Sequence, residues 1–589
     1  MSLGWKRASF GGLALTTQLQ PVPPRFLRQE RAGDPAPQVL PWALLAVMLA
    51  GFAVVAPMLH YGNASGHDFE FHVNSWTEVV GQWKQGVVYP RWAEWAQYGY
   101  GEARFVFYPP ASWLLGALLG VILPWRVVPG AYIWIALTLS GCSMFLLARR
   151  WLALPHAIFA AALYTANPYY VVVVYWRSAL AELLAGALLP LLMLQVLRAG
   201  DDERRAAVPL GVIVAAAWLT NIPAAVMITY SLALLLLVMA FVRRSPRILL
   251  SGVLAVGLGF GLAAFYLVPA IYEQRWVDIS QVFSPGVRPQ DNFLFTVMAD
   301  VEHNRFNFLV SLVATAEIVV VLALATITYR RRREWTRAWW LLTVWGAAAT
   351  LLMFSPTFFL WMHLPKLRFV QLPWRWLLCL NVPLALLLTL AGKRWLPRMA
   401  ACIALLAVLV FCWQRVQAPW WDTALDIAEL ERYVSEQTGY EGTDEYLPLG
   451  ADPYDAPHDA RRVTLDGPGT AQIHVLQWAA ESKLFTADVG QSTKIILRLF
   501  NYPAWRVQVN GQVVEAETRE GTGQMVIPLA AGENRIEVEF IRTWDRTAGG
   551  IISLLTWLGL AAAVWGRDLR RLPGAKPKSP SERRETRIR

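Results

Sequence analysis

Two carboxylates and two imidazoles lie within six residues of one another, in the segment Gly66–His72. Asp68 and Glu70 can each act as a general base, because partial burial raises the pKa of a carboxyl group towards the range in which it takes up protons. An extended segment would point both carboxylates the same way, so that they share a proton, a metal ion or a sugar hydroxyl. A helical segment would separate them by roughly 200°. The alternative to catalysis is a solvated loop whose charges pair with Arg91 or Arg104.

A metal site is a second interpretation of this segment. His67 and His72 are five residues apart and lack a third ligand at a fixed spacing, so they give little support for zinc. A divalent cation held by Asp68 and Glu70 would find the carboxylate oxygens that hard cations favour. The sequence requires no cofactor and leaves a divalent cation at this carboxylate pair open.

Further candidates for ligand binding lie along the chain. Arginine suits a phosphate group because its planar fork donates two hydrogen bonds at once, and ionisable residues near membrane depth indicate function because they are costly there. The alternatives are that the arginines anchor helix ends, that the aromatic rings form an interfacial belt instead of stacking on sugars, and that the glutamates are solvated. The candidate binding residues are His72, Arg91, Tyr108, Arg177, Glu182, Glu273, Arg368, Gln371, Arg375 and Glu445.

The composition is that of a polytopic helical membrane protein. The chain has 589 residues, a mean hydropathy of +0.37 and only 16% charged residues. Its net charge of +11 comes largely from short basic segments between apolar runs, where the positive-inside bias places them, so nucleic-acid binding is not expected. Four cysteines lie in apolar runs without metal-ligand spacing and predict buried thiols. Residues 1–39 are polar and basic, which predicts a cytoplasmic segment before an uncleaved first span.

Hydropathy gives thirteen candidate spans between Leu40 and Trp565. Both termini are basic, so we expect both in the cytoplasm and an even number of crossings. The run Ala111–Pro124, about 14 residues or roughly 21 Å long, is short of a roughly 30 Å hydrocarbon core. The pattern predicts an all-α membrane bundle with about 12 crossings and one short or re-entrant segment.

Residues 418–548 change to the alternating pattern of β-strands. Ile536–Phe540 has strict period two, and Asn510-Gly511 between two short apolar segments is typical of a hairpin turn. We predict a bundle over 40–417 with an outer first loop at 60–110, an extracytoplasmic β-sandwich at 418–548, a last transmembrane helix at 549–566 and a basic cytoplasmic tail at 567–589.

Common catalytic motifs are missing from the sequence. It contains no Walker loop, no serine-hydrolase elbow and no His-Glu-x-x-His helix, so nucleotide hydrolysis, serine hydrolysis and zinc proteolysis have no motif to support them. Its hydropathy also lacks the paired broken helices of many transporters.

Several motifs occur in an order that resembles one group of bacterial multispan proteins, the 6-pyruvoyl-tetrahydropterin synthase-related family and the neighbouring YfhO family. The resemblance extends from about Leu40 to the end of the last span. Nothing in the chain reproduces the three-histidine site of a pterin synthase. The motifs are Gly66–His72, Tyr89–Trp92, Gly99–Gly101, Phe107–Pro110, Leu219–Pro223, Phe265–Pro269, Gln371–Trp376, Glu445–Pro448 and Tyr502–Trp505.

The architecture also resembles GT-C glycosyltransferases, which use polyprenyl-phosphate-linked sugars and carry an acidic residue in the first outer loop. That resemblance implies that Asp68 is the catalytic base with Glu70 beside it, and that Arg177 or Arg375 binds the lipid phosphate. It further implies a bacterial inner-membrane enzyme, embedded among membrane lipids, that transfers sugar to a glycan or lipid acceptor. The alternative is a non-enzymatic lipid-glycan transporter or cell-envelope assembly protein.

Overall fold

The computed structural model describes residues 40–201, 206–330, 336–391, 395–415 and 420–569. The predicted cytoplasmic segment 1–39 and all but the start of the predicted tail lie outside the described residues. The described part is mostly helical, with a β region near its C-terminal end.

Apolar runs form helices here because a backbone shielded from water has to satisfy its hydrogen bonds internally. The helices of the described residues are α1 (Leu40–Val55), α2 (Met58–Tyr61), α3 (Phe69–Lys84), α4 (Ala96–Gly99), α5 (Arg104–Phe107), α6 (Pro110–Ile122), α7 (Val128–Ala148), α8 (Leu154–Thr165), α9 (Pro168–Val172), α10 (Leu180–Ala185), α11 (Leu188–Asp201), α12 (Ala207–Thr220), α13 (Ile222–Arg243), α14 (Arg247–Leu262), α15 (Ala264–Glu273), α16 (Val301–Tyr329), α17 (Thr336–Leu352), α18 (Phe358–His363), α19 (Leu377–Ala391), α20 (Trp395–Trp413), α21 (Ala424–Ser435) and α22 (Trp544–Leu569).

Eight helical segments of the described residues are long and apolar enough to cross a membrane, and the number rises to ten if two bent pairs each count as one span. Three shorter apolar helices, α1, α6 and α12, accompany them. Helix α6 corresponds to the run that the sequence predicted to be short, whereas the count of 12 crossings stays a prediction. The eight segments are Trp125–Ala148, Leu154–Arg177, Leu180–Asp201, Ile222–Arg243, Val301–Tyr329, Pro373–Ala391, Trp395–Trp413 and Trp544–Ala563.

The β region has two antiparallel sheets, ordered β3-β6-β10-β9 and β4-β5-β11-β7-β8. Phe485 and Ile536 of the larger sheet and Ile495 of the smaller belong to one buried apolar cluster. The predicted hairpin at Asn510 and Gly511 is confirmed, since both residues have positive φ between β7 and β8. The strands are β1 (Asn63–Ser65), β2 (Trp420–Asp422), β3 (Val463–Leu465), β4 (Ala471–Ala479), β5 (Ser482–Val489), β6 (Thr493–Phe500), β7 (Trp505–Val509), β8 (Gln512–Val514), β9 (Glu517–Thr518), β10 (Gln524–Leu529) and β11 (Gly532–Phe540).

Segments that are distant in sequence pair with the first loop. Strand β1, just after the first apolar helix, pairs antiparallel with β2. The Tyr98 N–H donates to the Tyr440 carbonyl at 2.9 Å, and the Thr443 N–H donates to the Glu102 carboxylate, also at 2.9 Å. The stretch that precedes the sheets is therefore built into the first loop.

A buried ion pair ties the last helix to the rest of the fold. Glu273 at the end of α15 accepts hydrogen bonds from Arg546 of α22 at 2.7 and 2.8 Å, and from the Tyr502 hydroxyl at 2.6 Å. Both side chains of the ion pair are at most 5% exposed. Such a carboxylate is already satisfied, which explains its burial without any ligand.

We expect Glu273→Ala to lower the free energy of unfolding by about 3–5 kcal/mol, because it leaves the buried Arg546 charge unpaired. Glu539→Ala, which breaks an exposed pair with Arg506, is the control and should cost less than about 1 kcal/mol. Thermal unfolding of both variants in the same detergent measures the difference. Equal losses would show that the buried pair does not stabilise the contact with α22.

Candidate functional site

One membrane-length helix is interrupted where it approaches the first loop. Asn167 caps α9, its side-chain oxygen accepting the Tyr170 N–H at 2.9 Å. A π-helical turn over Val173–Arg177 follows, and Ser178 has a left-handed φ of 50°. A π-turn changes the direction in which side chains leave the helix, and such turns are frequent at functional sites. Because the helix ends at this break, Arg177 is its last residue.

The first loop is held directly against this break. The Gly66 N–H donates to the Ser178 hydroxyl at 2.9 Å, and the Asp68 N–H donates to the Arg177 carbonyl at 2.9 Å. A Cβ on Gly66 would lie only 2.7 Å from the Arg177 carbonyl carbon and the Ser178 nitrogen, so the close approach requires glycine. The contact fixes the backbone on both sides of the Asp68 and Arg177 side chains.

Asp68 and Arg177 form an ion pair, with Nη2 and Oδ2 3.1 Å apart. The carboxylate is 37% exposed and the guanidinium 12%, and the latter lies 5.5 Å from the centre of the Trp374 ring. Burial tends to raise the pKa of Asp68, but the positive charge of Arg177 and smaller effects of His72 and Arg375 outweigh it. The pKa is lowered, so Asp68 is ionised at neutral pH.

A second ion pair, between Arg375 and Glu182, lies beside the first. The Arg375 Nε and Glu182 Oε2 atoms are 3.1 Å apart, and both side chains are less than 10% exposed. The Tyr169 hydroxyl donates to the other Glu182 oxygen at 2.5 Å, and Arg375 Nη1 donates to Gln371 Oε1 at 3.1 Å. The Arg375 charge acts on Asp68, so the two pairs belong to one electrostatic cluster.

His72 lies one helical turn after Asp68 and is 2% exposed. Its Nε2 accepts the Leu180 N–H at 3.2 Å, so the neutral ring carries its proton on Nδ1. No acceptor among the described residues lies within reach of that Nδ1–H. Burial lowers the pKa of His72 to about 4; Asp68 opposes this shift and Arg104 adds to it. The imidazole is therefore a neutral donor with a free N–H.

Tyr108 and Glu445 complete the group, which we call the Asp68 cluster: Asp68, His72, Tyr108, Arg177, Glu182, Gln371, Arg375 and Glu445. The Tyr108 ring centre lies 6.1 Å from that of His72, and the charges of both Asp68 and Glu445 act on its hydroxyl. The sequence candidates thus converge from the first loop, the interrupted helix, α10, the residues just before α19 and the segment before the sheets.

The remaining candidates lie elsewhere. Glu70 is an exposed residue in the first turn of α3, and its charge acts on Asp422. Because Asp68 is the N-cap of that helix, the two carboxylates diverge and do not form the pair that a shared cation requires. Arg368 is exposed, with its guanidinium 4.3 Å from the centre of the Phe283 ring.

Arg91 belongs with the Glu273 ion pair instead of the Asp68 cluster. Its Nη2 donates to the Phe265 carbonyl at 3.1 Å, and the charges acting on it include those of Arg546 and Glu273. Neither Arg91 nor Arg104 is the partner of Asp68; Arg104 pairs with Glu102 at 2.6 Å. Across the described ranges, no group of three His, Cys, Asp or Glu side chains is arranged to hold a metal ion.

Three residues that sequence reasoning did not select contribute to this region. Tyr169 bonds to Glu182, and Trp374 packs on Arg177 with a buried Nε1–H that lacks an acceptor in the described part of the chain. Glu317 is a fully buried carboxyl inside α16, close to the Tyr169 N–H. A carboxyl within so apolar a run is itself a signal that the sequence offers.

The sequence model of one protein family matches residues 105–418, more than half of the chain. That family is described as a 6-pyruvoyl-tetrahydropterin synthase related domain and as a membrane protein. The match begins in the first loop just before Tyr108 and includes Arg177, Glu182 and Arg375. A search of curated proteins gives no match.

We expect Gly66→Ala to destabilise the protein by about 1–3 kcal/mol, because the added Cβ forces the first loop away from the backbone of residues 177 and 178. Gly130→Ala is the matched control, since nothing lies within 4 Å of its added Cβ. Thermal unfolding of the purified variants compares the two. A Gly66→Ala protein as stable as Gly130→Ala would mean that the loop is not pressed against the break.

Acid should reveal the buried neutral state of His72. The pKa is lowered from 6.5 to about 4 on folding, so between these values the unfolded chain binds a proton that the folded chain refuses. The contribution of His72 to the free energy of unfolding is fully present above pH 6.5. It declines as the pH falls, by up to about 1.4 kcal/mol per pH unit. His72→Gln keeps an acceptor for Leu180 and should lose less stability than the parent between pH 7 and pH 5. Parallel pH dependence of the two unfolding temperatures would contradict this assignment.

Proposed function

The chain belongs to the 6-pyruvoyl-tetrahydropterin synthase related family of membrane proteins, and from this premise we propose that it is a GT-C-type membrane glycosyltransferase. It transfers a sugar from a polyprenyl-phosphate donor to a glycan or lipid acceptor outside the cytoplasm of a bacterium. The observation that carries the proposal is the meeting of one ionised carboxylate, Asp68, with two guanidinium groups, Arg177 and Arg375. In this proposal the cluster opens to the extracytoplasmic side, above 12 crossings, and a β-sandwich from residues 418–548 contributes to acceptor binding.

The two arginines bind the phosphate group of the donor. Guanidinium groups bind phosphate oxygens through paired, charge-assisted hydrogen bonds, and preorganised positive charge stabilises the charge that develops on a departing phosphate. Two further donors lack acceptors among the described residues, the His72 Nδ1–H and the Trp374 Nε1–H. Buried donors without acceptors, next to two guanidinium groups, favour an oxyanion ligand, because a buried N–H group without a hydrogen-bond acceptor costs free energy.

A neighbouring apolar groove provides for a lipid tail. Its cavity of about 560 Å³ lies between α1, α20 and the interrupted helix at α9 and the π-turn, and Tyr175 in its wall is two residues before Arg177. Rings continue from the groove towards the Asp68 cluster, each centre 4.9–6.4 Å from the next. In order they are Tyr175, Trp413, Trp176, Phe306 and Trp374.

Asp68 is the general base of this reaction. An acceptor hydroxyl oxygen bonds to the anomeric carbon while the bond from that carbon to the phosphate oxygen breaks. The hydroxyl proton passes to the Asp68 carboxylate, and the bonding electron pair stays on the phosphate, which Arg177 and Arg375 hold. A single displacement of this kind inverts the configuration of the sugar carbon.

We expect Asp68→Asn to reduce sugar transfer at least about 100-fold, because the amide cannot accept the proton. Arg375→Gln should reduce it by about 10²–10³ through loss of charge beside the phosphate. Arg337→Gln, in an exposed pair with Asp201, is the control and should match the parent. The assay follows a labelled polyprenyl-phosphate sugar in membranes that contain the protein.

Two outcomes would count against the proposal. If Asp68→Asn transfers sugar at the parent rate, Asp68 is not the general base. If the parent turns over no donor but moves a lipid-linked glycan between leaflets, the protein is a transporter whose cluster binds the phosphate without chemistry.

A further inference from the structure

Gln371, four residues before Arg375, has a strained backbone. Its φ of 63° and ψ of −62° are those of the rare form of γ-turn, and the Leu372 N–H donates across the turn to the Val370 carbonyl at 2.7 Å. Such a conformation costs free energy in any residue but glycine, and it persists only where neighbouring contacts impose it. Glycine adopts a positive φ without this cost. A glutamine at this position is therefore explained by what its side chain contacts.

The Gln371 side chain bonds to two separate parts of the chain. Its Oε1 accepts from Arg375 Nη1 at 3.1 Å, and its Nε2 donates to the Val282 carbonyl at 2.8 Å. A guanidinium group can only donate and a carbonyl can only accept, so these two partners fix which way round the amide lies. A carboxylate of the same length would offer no donor to the carbonyl. Gln371 thus joins Arg375 to a segment 89 residues before the turn.

The turn at Gln371 also determines the direction of the Arg375 guanidinium. Nη1 donates to the Val370 carbonyl at 2.9 Å as well as to Gln371, so both of its hydrogens are used. The Nε atom lies 3.1 Å from Glu182 Oε2, but among the described residues no acceptor lies in line with its hydrogen. The ion pair with Glu182 therefore fixes the distance of the charge, whereas the two Nη1 bonds fix the plane of the group.

Residues 277–283, which we call the Val282 segment, connect this turn to the chain before the sheets. At the start of the segment, Val277 forms an isolated antiparallel bridge with Pro448. At its end, the Phe283 ring centre lies 5.1 Å from that of Phe369. The middle of the segment is exposed. Its position is therefore set by contacts at the two ends and by the hydrogen bond from the glutamine amide.

We propose that Gln371 is a positioning residue that makes the orientation of Arg375 depend on the placement of the Val282 segment. This inference rests on the proposed sugar transfer, in which Arg375 stabilises the charge on the departing phosphate. While the segment is in place, Gln371 keeps both hydrogen bonds and Arg375 keeps its direction. When the segment is displaced, Gln371 loses its acceptor, the strained turn relaxes and the guanidinium rotates. A preorganised charge speeds a reaction only in its productive geometry, so the rate depends on the segment.

The first experiment observes Arg375 without any substrate. Nuclear magnetic resonance of protein that carries isotope-labelled arginine detects the Nε–H groups, and the signal missing from Arg375→Gln belongs to Arg375. We expect Gln371→Met, which is similar in length but lacks both polar atoms, to shift or broaden that signal. Gln371→Gly should do the same while it removes the backbone strain, so a shift in both variants does not come from a strained or misfolded turn.

The same signal tests the Val282 segment. Phe283→Ala removes the contact with Phe369 and leaves Arg375 and Gln371 unchanged, so we expect it also to shift the Arg375 signal. Val287→Ala, an exposed position just after the segment, is the matched control and should give the signal of the parent. An unchanged signal in Gln371→Met overturns the positioning role. An unchanged signal in Phe283→Ala overturns the dependence on the segment.

The second experiment is a double-mutant cycle on sugar transfer. Gln371→Met should lower kcat and kcat/KM equally, by about tenfold, because the lost interaction acts in the transition state. In the Arg375→Gln background the same change should cost less than about twofold, since its effect passes through Arg375. Gln371→Glu keeps the acceptor for Arg375 and should retain more activity than Gln371→Met.

Equal losses in the two backgrounds would show that Gln371 acts independently of Arg375 and would overturn the proposal. A parent that transfers no sugar overturns the proposed function instead. The resonance of Arg375 then decides the role of Gln371 alone.

Discussion

The contact between the first loop and the break in the helix that ends at Arg177 determines the geometry of the whole site. A hydrogen bond from the Gly66 N–H to the Ser178 hydroxyl, one from the Asp68 N–H to the Arg177 carbonyl, and the absence of a side chain at Gly66 bring the loop against the π-turn. The ion pair of Asp68 with Arg177 depends on this contact, and through the charge of Arg375 it extends to the pair with Glu182. Without the break, the Arg177 side chain would leave the helix in a different direction and would not pair with the Asp68 carboxylate.

Sequence reasoning succeeded where the physics is local and averaged over many residues. Hydropathy located the apolar helices, including the short α6. It could not choose between strand and helix at residues 66–72, since the segment contains both a turn residue and aromatic residues suited to either. The structure resolves this by starting α3 at Phe69, which separates Glu70 from Asp68. The partner of Glu273 lies 273 residues later, so no local pattern announces it.

The region after residue 420 has two distinct parts. Strand β2, helix α21 and the segment around Glu445 pack on the first loop, and the two sheets share their apolar core with first-loop residues that include Trp92 and Tyr100. The Glu102 carboxylate links the segment around Glu445 to the first loop, because it accepts a hydrogen bond from Thr443 and also pairs with Arg104. The helical bundle and the β region are therefore not independent domains, since Glu445 of the Asp68 cluster comes from the segment that follows the bundle in sequence.

The pairing of β1 with β2 also bears on how the protein is made. Ribosomes release the chain from its N-terminal end, so Asn63–Ser65 leaves the exit tunnel long before Trp420–Asp422 exists. The hydrogen bond between Glu102 and Thr443 spans 341 residues, and contacts of such separation form slowly. The first loop therefore lacks β2 and Thr443 as partners while most of the helices are inserted. The cluster of charges is completed only near the end of synthesis, when the membrane bundle that isolates it from the other side is already in place.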